Sequence, residues 1–89
     1  MSYEMYTPAG NRACESMVKS ARKKILGKTR LTVEAIQKIY DDGLEKVNNK
    51  HSEVYDTEPR WHIARKLSEA LKEAGYMYRF NAWGDVEED

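Results

Sequence analysis

Apolar side chains recur along most of this chain at steps of three and four, the period of a helix with one buried face. Cys14, Met17, Val18, Ala21 and Ile25 form the first such stripe and predict a helix opening near Thr7-Pro8. A hydroxyl there accepts from the free amides of the first turn, and proline is tolerated at the first helical position. Asn11 is the alternative cap, and Gly27, just after Leu26, is a natural stop.

The second stripe is longer. Val33, Ile36, Tyr40, Leu44, Val47, His51 and Val54 follow one another at heptad-like steps, with Thr32 as cap and Glu34 at the positive end of the helix dipole. Glu34 with Lys38, and Asp42 with Lys46, are spaced as exposed i,i+4 pairs. Gly43 and the Asn48-Asn49 pair stand against continuity. The stripe outweighs them, so the expectation is one long central helix to about Tyr55. A third helix opens around Asp56-Thr57-Glu58-Pro59 and ends at Gly75, with Trp61, Ala64, Leu67, Leu71 and Ala74 as its buried stripe, widened by Ile63 and Ala70.

Beyond Gly75 the period changes to two. Tyr76, Tyr78, Phe80 and Ala82 alternate with Met77, Arg79, Asn81 and Trp83, as in a strand with one face on a core. Its expected partner is Ser2 to Tyr6, at the other end of the chain. The fold class is therefore mainly α: three helices, a long central one among them, and a minor two-stranded antiparallel ribbon from the chain ends. Residues 1–84 read as a single helical domain and 85–89 as an acidic mobile tail.

At 89 residues and 10.4 kDa this is material for one domain, and a two-domain enzyme with its own cofactor fold is excluded. Cys14 has no second cysteine to pair with, so an internal disulfide framework is excluded as well. The start of the chain has no basic stretch followed by an apolar one, and no apolar run approaches the ~20 residues that span a bilayer. The expectation is a cytoplasmic protein with no membrane partner.

The formal net charge of zero hides segregation. Residues 12–30 carry Arg12, Lys19, Arg22, Lys23, Lys24, Lys28 and Arg30 against Glu15 alone, while four of the last five residues are acidic. A basic helix of this kind either docks on phosphates or an acidic protein surface, or is simply a solvated face. A neutral pI of 6.7 disfavours a dedicated nucleic-acid binder.

Catalytic constellations are weak. His51, Glu53, Asp56, Glu58 and His62 cluster in sequence, yet their spacing matches no zinc or calcium ligand pattern. Cys14 lies on an apolar face, where packing is the usual role, and no glycine-rich loop opens a helix to cradle phosphate. No catalytic residue, metal ligand or cofactor is assigned. Trp, Tyr, Arg and Met are enriched at the centres of protein interfaces, which singles out Met77, Tyr78, Arg79 and Trp83 beside an exposed strand edge.

The function expected is that of a small non-enzymatic adaptor or inhibitor that binds another protein. That partner would handle nucleic acid, as the targets of small viral and mobile-element accessory proteins often do. Strand pairing across a dimer axis is a further use of the edge. The first rival is direct DNA or RNA binding through Arg12, Lys19, Arg22, Lys23, Lys24 and Lys28; the second is a small metal-dependent enzyme using His51, His62 and the neighbouring acids.

Overall fold

Two of the three helices start at the hydroxyls expected of them. Thr7 Oγ1 accepts from Gly10 N at 3.0 Å and opens α1 (Pro8–Ile25), and Thr32 Oγ1 accepts from Ala35 N at 3.1 Å and opens α2 (Val33–Asn48). α3 (Thr57–Glu73) follows Asp56, whose carboxylate is not used as a cap but accepts from Tyr6 Oη at 3.0 Å. The computed structural model describes residues 3–89. It is mainly α, with these three helices, one 3-10 turn at Ser52–Tyr55 and a two-stranded antiparallel sheet of β1 (Tyr78–Phe80) and β2 (Val86–Glu88).

α1 packs against both α2 and α3, and the β hairpin lies on α3 with β2 touching α2. The core draws on every element: Cys14, Val18 and Ile25 from α1, Ile36, Tyr40 and Leu44 from α2, Ile63, Leu67 and Leu71 from α3, and Phe80 from β1 are all buried. Tyr40 and Phe80 stack with ring centroids 5.0 Å apart, which ties the hairpin to α2. Gln37 adds a polar clamp, donating to Gly84 O at 2.8 Å and accepting from Val86 N at 2.9 Å.

The long second stripe is real, but the helix is not continuous. α2 ends at Asn48, and His51 (φ −138°, ψ 75°) leaves the helical region before the 3-10 turn. Asn48-Asn49 is the weak point, since asparagine side chains compete for backbone groups. Val54 reaches the core all the same, on the 3-10 turn, so the apolar period was preserved across a chain bend. Gly43 does not break α2: a Cβ there would collide with the side chain of Met17, so the glycine marks close approach of α1 and α2.

The expected ribbon between the two chain ends is replaced by a local hairpin. Arg79 pairs in register with Glu87 and Phe80 with Val86, so the segment expected as a mobile acidic tail supplies the second strand. Asn81 makes this possible: its Oδ1 accepts from Trp83 N at 2.9 Å and Asp85 N at 3.0 Å, and Gly84 (φ +86°) completes the turn. At the other end Ser2, where the expected partner begins, lies with Met1 outside the described residues. Residues 3–6 form no strand, because Glu4 (φ 60°) breaks the extended run. Tyr3 and Met5 enter the core instead, with Asn11 Oδ1 accepting from both their amides.

Trp61, expected in the buried stripe of α3, is 41% exposed. It lies about 120° around the helix from the fully buried Leu67, off the face that Ile63, Ala64 and Leu71 share.

Candidate functional site

The seam between α1 and α2, on the side away from the hairpin, opens into a groove of about 900 Å³. Its floor is apolar: Met17, Ala21 and Val47 are buried, Leu31 and Ile39 are half-buried, and Gly43 adds no side chain. Ala13, Ser16, Ser20 and Ala35 keep both walls low. Around this floor stand Lys23, Lys24 and Lys28 from the α1 side and Lys38, Lys46 and Lys50 from the α2 side, all exposed, with Asp42 as the one carboxylate in the lining.

Most of these cations carry no partner of their own. Among the described residues only Lys38 of the six makes an ion pair, to Asp42 at 3.5 Å. The pairs expected between Glu34 and Lys38 and between Asp42 and Lys46 are therefore not the ones formed. Six ammonium groups around one low-polarity trough create a positive field that an anionic partner would relieve, and salt would screen.

The basic first helix divides. Lys23, Lys24 and Lys28 reach the groove, whereas Arg22 turns to the opposite side and pairs with Glu73 of α3 at 3.0 Å. Arg12 and Lys19 are exposed and do not line the groove. Arg30 is structural: its guanidinium donates to Ala74 O and Gly75 O at 3.2 and 3.1 Å and covers the Tyr76 ring at 3.9 Å, closing the C-terminal end of α3. Contiguous counting of charge missed Lys38, Lys46 and Lys50. Their signal was the four-residue spacing of 38, 42 and 46, which sets one row down α2, continued by Lys50 in the turn that follows.

The residues singled out on the hairpin do not form one surface. Met77 and Trp83 are 73% and 62% exposed but occupy opposite ends of the hairpin, and Tyr78 is half-buried against the core. Arg79 is held by Glu87 at 2.8 Å, and Arg60 reaches over the Trp83 ring at 5.8 Å. The strand edge is partly closed as well: Ser68 Oγ accepts from Phe80 N at 2.8 Å and donates to Phe80 O at 3.2 Å.

The groups weighed for catalysis lie in different surroundings. His51 lines one end of the groove, while His62 sits edge-on to Tyr3 on α3 and 3.9 Å from Glu58. Among the described residues no three His, Cys, Asp or Glu side chains converge as a metal set. Cys14 is buried, and burial pushes its thiol up to about 11, with Glu53 adding to the effect. At neutral pH it is a protonated packing group. Among the described residues no helix is long and apolar enough to cross a membrane.

A comparison of the chain with protein-family models, curated proteins and solved structures finds no match to any of them.

Proposed function

We propose that this chain is a non-catalytic binding module, an adaptor or inhibitor, that acts in the cytoplasm by covering the surface of another protein. The observation that supports this reading is the α1/α2 groove, which joins an apolar floor to a rim of six lysines, of which only Lys38 makes an ion pair among the described residues. Apolar area supplies the attraction, since each Å² removed from water contributes about 25 cal/mol. The rim supplies orientation and speeds encounter with an acidic surface. The hairpin residues Met77, Arg79 and Trp83 form a second, smaller contact in this reading, because a paired arginine and two separated apolar side chains offer less than a continuous trough.

The experiment is capture from nuclease-treated extract on immobilised protein, with three baits: the unaltered chain, Lys24→Glu with Lys46→Glu, and Arg79→Ala with Trp83→Ala. Circular dichroism confirms that all three are folded. The expected outcome is a protein retained despite nuclease, lost with the groove pair and weakened no more than a few fold with the hairpin pair. Retention that disappears on nuclease treatment would favour direct nucleic-acid binding by the same lysines.

A further inference from the structure

Resting on the reading of the groove as a protein-binding surface, we infer that its occupant is an acidic amphipathic helix of the partner. The apolar face of that helix would lie on Met17, Ile39 and Val47, with its carboxylates between the lysines of the two walls.

The shape of the trough fits a helix. The α1 wall runs from Ala13 to Lys24 and the α2 wall from Ala35 to Val47. At 1.5 Å per residue each is about 17 Å long, the length of three helical turns. Helices pack with axes 8–10 Å apart, and nearer where the side chains between them are small. Ser16, Ser20, Ala35 and Gly43 provide such low ground on both sides of the trough. A third helix laid along the seam would complete on this side of α1 the packing that α3 supplies on the other.

Its charge fits an acidic one. Lys38, Asp42 and Lys46 form a row at four-residue spacing, so successive groups along α2 rise by about 6 Å, and Lys50 follows in the turn beyond Asn48. Carboxylates at every fourth residue of a partner helix rise by the same amount, which lets one acidic row face the α2 wall and another face Lys23, Lys24 and Lys28. A nucleic acid suits the groove less well. Its phosphates would meet the lysines, but the lining offers no arginine for bidentate contacts and only the imidazole of His51, at one end, for base stacking, and methyl-bearing floor residues would be covered by a charged backbone.

The test uses the full chain and three probes. The first is a 14-residue peptide with leucines at positions i, i+3, i+4 and i+7 and glutamates flanking them. The second is the same composition scrambled, and the third a 15-base-pair DNA duplex. The peptide, about 14 residues and so about 21 Å as a helix, covers the three-turn groove, and the duplex, about 51 Å long at about 3.4 Å per step, spans it fully. Binding is read by fluorescence anisotropy, peptide helicity by circular dichroism, and location by methyl shifts of Met17, Ile39 and Val47. Two variants accompany it: Lys24→Glu with Lys46→Glu, and Ser20→Trp, which fills the trough at an exposed helical position without changing charge.

The expected result is a patterned peptide that becomes helical on binding, shifts the floor methyls and binds at least tenfold more tightly than the scrambled one. Each variant should weaken it about tenfold or more. Scrambled peptide binding within threefold of the patterned one would overturn the inference, leaving charge alone. Duplex binding as tight as the peptide, with shifts confined to the lysines, would overturn it in favour of nucleic acid. Self-association of the unaltered chain that Ser20→Trp abolishes would assign the groove to a second copy. If the patterned peptide fails while Lys24→Glu with Lys46→Glu still abolishes capture of the partner protein, the helix is wrong and the groove stands. If that capture is also unaffected, the binding reading falls with it.

Discussion

α1 has two seams, and they end differently. Against α3 the seam is plugged: Tyr3 is fully buried there, donates to Glu15 of α1 at 3.1 Å, and meets His62 edge-on and Lys66 over its ring on α3, while Arg22 and Glu73 pair farther along. Against α2 the corresponding seam lies open, with an apolar floor, low walls of small side chains and a rim of lysines of which, among the described residues, only Lys38 pairs with an acid. Both seams belong to one basic helix, so the difference comes from its neighbours. A positive charge on α1 is structural where a glutamate or a carbonyl meets it, as at Arg22, and is available for recognition where it meets only other cations, as at Lys23 and Lys24.

The comparison implies that core positions and groove positions respond differently to loss of side chain. Leu67→Ala, at a site with no solvent exposure, should lower stability by about 2–5 kcal/mol, whereas Ile39→Ala on the half-buried groove floor should cost no more than about 1 kcal/mol. Urea unfolding of both variants decides the matter. Equal losses would mean that the groove floor is as tightly packed as the core and no longer a surface.

The hairpin that closes the far side offers the next largest effect. Gly84 has φ +86°, and a Cβ there would run into the Tyr40 ring, so Gly84→Ala should cost about 1–3 kcal/mol. Near-UV circular dichroism should lose part of the tyrosine signal in the same variant. An unchanged melting temperature would show that the hairpin is not seated on Tyr40.

Alkali should then separate the closed side from the open one. Burial raises Cys14 to about 11 and Tyr40 to about 12, from ordinary values of 9.0 and 10.0, and it raises Tyr3 with help from the hydrogen bond to Glu15. These groups hold their protons longer in the folded chain than in the unfolded one. Their stabilising contribution is complete below about pH 9 and is lost between pH 9 and 12, at a limiting slope of about 1.4 kcal/mol per pH unit for each group. Denaturation midpoints at pH 8, 9.5 and 10.5 should fall in that order, and a flat series would contradict the burial of all three.

Smallest of all is the surface ion pair of the hairpin. Arg79 and Glu87 are about half exposed, so Arg79→Ala should change stability by no more than about 1 kcal/mol. A larger loss would give that arginine a structural role beyond the pair.

How much of this was legible beforehand follows the range of each interaction. Thr7, Thr32 and Gly75 act on their own turn of chain, and the helix ends they mark are those observed. Strand pairing is not local in that sense. Of the stretch from Tyr76 to Trp83 that reads as extended only Tyr78 to Phe80 is strand, and its partner was set by Asn81, whose side chain organises a tight turn that hydrophobic period does not register. The end of α2 was hidden because Val54 keeps the apolar rhythm after the helix has stopped. The groove was half legible: Lys23, Lys24 and Lys28 stood out as a run, while Lys38, Lys46 and Lys50 each looked like an ordinary solvated charge until α2 was laid beside α1.

The claim at the centre, that recognition happens in the α1/α2 groove, is most directly tested by lysine footprinting of the protein with its captured partner, read by mass spectrometry. Lys23, Lys24, Lys46 and Lys50 should become protected from acetylation while Lys19, Lys66 and Lys72 react as in the free chain. Unprotected groove lysines in a saturated complex would contradict it.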